Sequence, residues 1–187
     1  MRLFVAVDPS GASRQRIAGT IERLRPLAPS AKWIGEEGFH VTLAFLGEIE
    51  AARVAAITAS LAAAASRHES FALGVGGGGT FGPRRSAHVL WAGITAGAGP
   101  LGAVQRDVVA ALAPHGYQPE ARPFAPHITL ARSRERRGEP AFVECGAAID
   151  ADLGTSTIST LILYESVSTG RGARYVVLAA LPLRAVI

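Results

Sequence analysis

Residues 39–47 read FHVTLAFLG, and residues 123–132 read PFAPHITLAR. Each stretch carries His-x-Thr-Leu inside an apolar run with the residue types of a β-strand. Side chains on a strand alternate between two faces, so residues two apart point the same way. His40 and Thr42 therefore share one face, as do His127 and Thr129. Val41 with Leu43, and Ile128 with Leu130, take the opposite face and can anchor each strand in a core. One such stretch alone reads as a structural histidine beside a β-branched strand former. Two of them, 87 residues apart in a chain of 187, are harder to explain by stability alone. A core has no need of histidine in both places.

Outward from these strands, the chain alternates between strand and helix patterns. RLFVAVD at residues 2–8 is a short apolar run that stops at the turn residues Asp8-Pro9-Ser10-Gly11. Residues 12–28 carry Ile17, Ile21 and Leu24 at helical spacing, and residues 50–66 carry Val54, Ile57 and Leu61 in an Ala-rich segment. FALGVG and AHVLWAGI read as two strands joined by a Gly-rich loop. A third helix runs from about residue 100 to residue 113. HITLAR is followed by a charged link, SRERRGEP. The C-terminal part alternates strand signals through STISTLILYES and ARYVVLAAL. This order predicts two similar α+β halves, each with one His-x-Thr strand and a helix near it.

Composition narrows the class. Hydrophobic residues make up 49% of the chain, enough for a sizeable core and too many for a disordered segment. Basic residues exceed acidic ones by 19 to 15, and Lys32 is the only lysine. Arginine's planar fork suits phosphate, although arginine enrichment also follows from a GC-rich genome. Cys145 is alone, which excludes an intrachain disulfide and a thiolate metal cluster. No apolar stretch approaches a membrane span, and the N-terminal run is too short for a signal-peptide core. A cytoplasmic protein is expected, with monomer as the default state.

Two His/Thr pairs facing each other would surround one anion with two imidazoles and two hydroxyl donors. That inventory suits phosphate-ester chemistry without a metal. One neutral imidazole takes a proton from water while one imidazolium protonates the leaving oxygen. The hydroxyls donate to non-bridging oxygens as their charge grows. Opposite protonation states in one pair imply a bell-shaped pH–rate profile.

At these residues the chain resembles the 2H phosphoesterase superfamily, and within it the RNA 2′,3′-cyclic phosphodiesterase (2′-5′ RNA ligase-like) branch. The resemblance covers RLFVAVD, FHVTLAFLGE, VLWAGI, RPFAPHITLAR and the closing LYES…RYVVLAALPL, nearly the whole chain. It implies a bilobal α+β fold: two antiparallel-sheet lobes with flanking helices around a central cleft, forming a single domain over residues 1–187 with pseudo-symmetric lobes. It also implies hydrolysis of an RNA terminal 2′,3′-cyclic phosphate to a 2′-phosphomonoester, with no metal and no cofactor. RNA ends or small cyclic-phosphate nucleotides would be the partners.

By motif position, His40 resembles the proton donor to the 3′ leaving oxygen and His127 the base that activates water. Thr42 and Thr129 resemble the phosphate-oxygen ligands. Arg132 closes the second motif, as an arginine does in this branch. Strict alternation points Arg132 away from the face of His127, so a phosphate contact from it requires a twist or a strand end. Phe45 stands at the matching offset of the first motif, so the two halves are not chemically equivalent. Two alternatives share these residues: reversible 2′-5′ RNA ligation, and a non-catalytic module that binds RNA ends. Binding alone needs no matched acid and base.

The remaining features read as structural. GVGGGGTFG at residues 74–82 lacks the Gly-Lys-Ser/Thr ending of a phosphate loop and reads as a flexible connection between strands. Pro83-Arg84-Arg85, and Arg134, Arg136 and Arg137, read as solvated loops with an RNA-backbone role as the alternative. His68, His88 and His115 lack a threonine two residues on and read as surface or structural. No His/Cys/Asp/Glu spacing suggests zinc. Aromatics, at 6%, are too sparse for an extended stacking platform, although one base could stack at the cleft edge.

Overall fold

Ile17, Ile21 and Leu24, the apolar stripe expected of the first helix, are all buried against the strands beside them. The computed structural model describes residues 1–83, 86–170 and 172–185. In chain order these form β1 (Arg2–Val7), α1 (Gly11–Leu24), β2 (Lys32–Trp33), β3 (Val41–Glu48), α2 (Val54–Ala65), β4 (Phe71–Phe81) and β5 (Val89–Ala96). Then follow α3 (Ala98–Leu112), β6 (His127–Arg132), α4 (Phe142–Ala147), β7 (Thr155–Ile158), β8 (Thr160–Thr169) and β9 (Gly172–Pro182). The fold is α+β, and the strands pair antiparallel in the order β7-β4-β5-β6-β3-β1-β8-β9.

That order contains two lobes. One is β7-β4-β5-β6 and the other is β3-β1-β8-β9, and they join where β6 meets β3 through the single register pair Val41↔Ile128. Beyond that pair the edge of β6 is taken up by β2. Lys32 pairs with Arg132, Trp33 pairs with Ala131, and the Ile34 amide donates to the Leu130 carbonyl at 2.9 Å. The two His-x-Thr strands are therefore neighbours, held together at their first residues and splayed after them.

β1 shows how the sheet separates core from cleft. Leu3, Val5 and Val7 join the main core with Ile57 and Leu61 of α2 and with Leu101, Val104 and Val108 of α3. Phe4 and Ala6 point the other way, into a small cluster with Tyr164 and Tyr175. Burying each large aliphatic side chain of the first set contributes about 1.5–3 kcal/mol. The helix-covered face thus carries the stability, and the opposite face is left for the cleft.

The glycine run is not a loop. β4 continues through it, pairing Gly78 with Ala92 and Gly79 with Trp91. The reason is close packing on both faces. A Cβ at Gly78 would meet the Ile149 side chain and lie 2.8 Å from the Gly146 carbonyl oxygen, and one at Gly79 would run into the Trp91 ring. Backbone on one side and an indole on the other leave no room for a side chain. α4, which packs on β4 and β5, also went unanticipated in the sequence. Among the described residues no helix is long and apolar enough to cross a membrane.

Gly78→Ala should therefore cost about 1–3 kcal/mol through overpacking. Gly19→Ala, on α1 with no atom within 4 Å of the new Cβ, should instead stabilise by roughly 0.5–1 kcal/mol. Urea unfolding of the two variants checks this, and equal effects would contradict the packing account.

Candidate active site

The burial pattern of the two motifs is the same, and simple alternation does not produce it. Val41, Leu43 and Ala44 are buried and Phe45 is 55% exposed, just as Ile128, Leu130 and Ala131 are buried and Arg132 is exposed. In each strand two successive residues face the core. The ladders explain why. Across β5, Thr129 faces Trp91 but Ala131 faces Leu90, so Leu130 is an extra residue. Across β1, Thr42 faces Ala6 but Ala44 faces Val5, so Leu43 is extra. Such bulges reset which face the following side chains take.

Arg132 consequently lies on the same face as His127 and Thr129, and Phe45 on that of His40 and Thr42. The bulge supplies the departure from strict alternation that a phosphate contact from Arg132 requires. Alternation fails at the bulge.

The register pair Val41↔Ile128 positions the rest. One step either way along an antiparallel ladder sets His40 beside Thr129 and Thr42 beside His127. Each imidazole is half-buried and walled by aromatics that the motifs did not identify. His40 lies 4.9 Å from the Phe4 ring, 5.2 Å edge-on from Tyr175 and 6.1 Å from Tyr164. His127 lies 4.7 Å edge-on from Phe81 and 6.3 Å from Trp91. Period-two patterning places such rings on a face but cannot say which strands will be neighbours.

The two imidazoles differ in how they are held. His127 Nδ1 lies 2.7 Å from the Ala125 carbonyl oxygen. A carbonyl only accepts, so Nδ1 carries the proton, and Nε2 presents its lone pair when the ring is neutral. Burial pushes the His127 pKa down, the hydrogen bond to Ala125 opposes this, and the Arg132 charge adds to the lowering. His40 is pushed down to about 4, first by burial and then by the charges of Arg132, His127 and Arg14.

Arg14 is a component that sequence reasoning missed. It sits on α1 and donates to the carbonyls of Pro9 at 3.1 Å and Phe39 at 3.4 Å, and also to that of Glu36. It therefore ties the helix to the turn that delivers His40, with its guanidinium over the Phe39 ring. Nearby, the Tyr164 hydroxyl donates to Asp8 Oδ2 at 2.6 Å. Burial raises Asp8, against the opposing pull of that hydrogen bond and of Arg14.

Two of the other histidines lie elsewhere. His68 Nε2 is 3.0 Å from Asp107, and His115 Nε2 is 2.9 Å from the Ser60 hydroxyl. Among the described residues no three His, Cys, Asp or Glu side chains converge to hold a metal. Arg134, Arg136 and Arg137 are exposed, whereas Arg84 and Arg85 lie outside the described residues.

The lowered pKa of His40 has a consequence for stability. As pH falls, the unfolded chain takes up the proton near the ordinary value of 6.5, before the folded protein does near 4. Its contribution is therefore complete above about 6.5 and is lost as pH drops toward 4, at up to about 1.4 kcal/mol per pH unit. The unfolding free energy of wild type should fall relative to that of His40→Gln as pH drops from about 6.5 toward 4. A difference independent of pH would contradict the assignment.

Known proteins similar to this chain point to one family. A Geobacillus stearothermophilus protein named RNA 2′,3′-cyclic phosphodiesterase is 33% identical over 181 residues, which is 96% of this chain but only 56% of that protein. An Aeropyrum pernix protein of the same name is 34% identical over 145 residues, covering 77% of this chain and 81% of its own length. The crystal structure of E. coli LigT complexed with 3′-AMP superposes with a TM-score of 0.73 at 25% identity, over 97% of both chains. Residues 13–158 match the profile of the 2′-5′ RNA ligase superfamily, and the chain belongs to that family.

Proposed function

We propose that the chain hydrolyses the terminal 2′,3′-cyclic phosphate of RNA to a 2′-phosphomonoester through its two His-x-Thr pairs, without a metal. The observation that carries this reading is the unequal pair of imidazoles on adjacent strands. His127 has its Nε2 lone pair available because Nδ1–H is spent on Ala125. The names of the relatives and the nucleotide complex of E. coli LigT support the substrate class.

In the proposed step, water attacks phosphorus and His127 Nε2 takes its proton. The bond from phosphorus to O3′ breaks, His40 delivers a proton to O3′, and the phosphate stays on O2′. The choice of O3′ as leaving oxygen comes from the family resemblance. Thr42, Thr129 and Arg132 donate to the non-bridging oxygens as charge builds there.

His40 must be protonated to act, yet its surroundings hold it neutral near pH 7 in the free protein. Burial is the first cause of that lowering; a bound phosphate's negative charge works against it and against the charges of Arg132, His127 and Arg14, which favours the imidazolium with substrate in place. Phe45, exposed on the same face, offers a ring on which the terminal base can stack.

An oligoribonucleotide ending in a 2′,3′-cyclic phosphate, assayed with EDTA present, tests the reading. Wild type should give the 2′-phosphate product, and His40→Ala and His127→Ala should each lower kcat by about 10²–10⁴-fold. Turnover retained in either variant, or abolished by EDTA, would overturn it. A module that only binds RNA ends would show no turnover, and a 2′-5′ ligase would join the same end to a 5′-hydroxyl strand.

A further inference from the structure

One strand over from Arg132 lies a pocket of about 610 Å³, lined by Arg25, Lys32, Trp33, Arg134, Gly170 and Gly172 among others. Three of these residues are cations, and among the described lining residues none is acidic. Lys32 pairs directly with Arg132 across the β2–β6 ladder. Directly opposed residues in an antiparallel pair share a face, so the two positive side chains lie side by side. Adjacent strands are about 4.8 Å apart, and like charges set opposite each other at that spacing destabilise a sheet. Among the described residues neither Lys32, Arg132 nor Arg134 has an acidic partner, while Arg25 pairs with Glu22 at 2.8 Å. The register thus sets two cationic residues opposite each other, an arrangement that favours a bound anion.

Two details make the pocket a built feature rather than a chance patch. Lys32 is the only lysine among the chain's 19 basic residues. Its ammonium is a compact point charge on a flexible stem, suited to a singly charged phosphodiester. Gly172, the first residue of β9, also lies against it. A Cβ at Gly172 would lie 2.7 Å from Lys32 Nζ, so glycine leaves room for the ammonium.

We propose that this pocket receives the phosphodiester that links the terminal nucleotide to the preceding one in an RNA strand. It makes the protein selective for RNA strands over isolated cyclic nucleotides. This rests on the reading of the cleft as the seat of a cyclic phosphate end. The cyclic phosphate sits at His40, His127 and Arg132, and the next phosphate in the 5′ direction meets Lys32 and Arg134.

The test compares two substrates and two products. The substrates are a nucleoside 2′,3′-cyclic phosphate without a 5′-phosphate, and a trinucleotide with the same terminal base and cyclic phosphate. The products are the corresponding 2′-phosphates, used as ligands in direct binding measurements. Lys32→Met should lower kcat/KM on the trinucleotide about tenfold through KM, leave the nucleoside substrate unchanged, and reduce the salt slope of trinucleotide binding by about 0.7. Lys32→Arg should keep most of the preference, because the charge remains. Equal losses on both substrates, or no loss on either, would overturn the proposal. Wild-type turnover of neither substrate would overturn the hydrolase reading instead, and the binding comparison would still decide the pocket's role.

Discussion

A single backbone pairing, Val41 to Ile128, is the constraint on which the proposed site depends. It is where the two lobes of the sheet join, and it lies between the histidine and threonine of both motifs. Through that one contact the His/Thr pairs of both motifs flank the same junction. Beyond it the two strands part within the one sheet, β6 pairing with β2 and β3 with β1. The side chains of Val41 and Ile128 are fully buried, so the junction is anchored in the core and the polar groups are carried by it.

The pairing of each histidine with its threonine was legible in the sequence, since alternation alone puts residues two apart on one face. The α+β class, the first three helices and the Val/Ile/Leu anchors were legible for the same reason. Arg132 was not placed by that reasoning. Its orientation depends on one extra residue, Leu130, and a bulge is set by the register with β5 rather than by any local signal. The strand through Gly74–Gly79 was hidden for a related reason. Glycine weakens a strand on its own, and only the packing of Ile149 and Trp91 shows why it is needed there. Arg14 and the aromatic walls come from elements distant in sequence, which no local pattern brings together.

Equivalent positions after the two bulges carry opposite chemistry. Arg132 follows one His-x-Thr pair and Phe45 the other. A cleft with a guanidinium at one end and an exposed ring at the other favours an elongated ligand with a charged group and a flat apolar one. The electrostatics point the same way. Arg14 and Arg132 both act against charging His40, and Lys32 stands directly opposite Arg132. Burial and these charges together hold the His40 imidazole neutral, and an anion beside it would work against them.

The measurement that bears most directly on this account is a ¹⁵N NMR titration of the two histidine side chains, with and without a nucleoside 2′-phosphate. The free protein should show His127 as the Nδ1–H tautomer and His40 neutral at pH 6. Adding the phosphate ligand should protonate His40 at that pH while His127 keeps its tautomer. If His40 stays neutral when the ligand is bound, or is already charged without it, the account is contradicted.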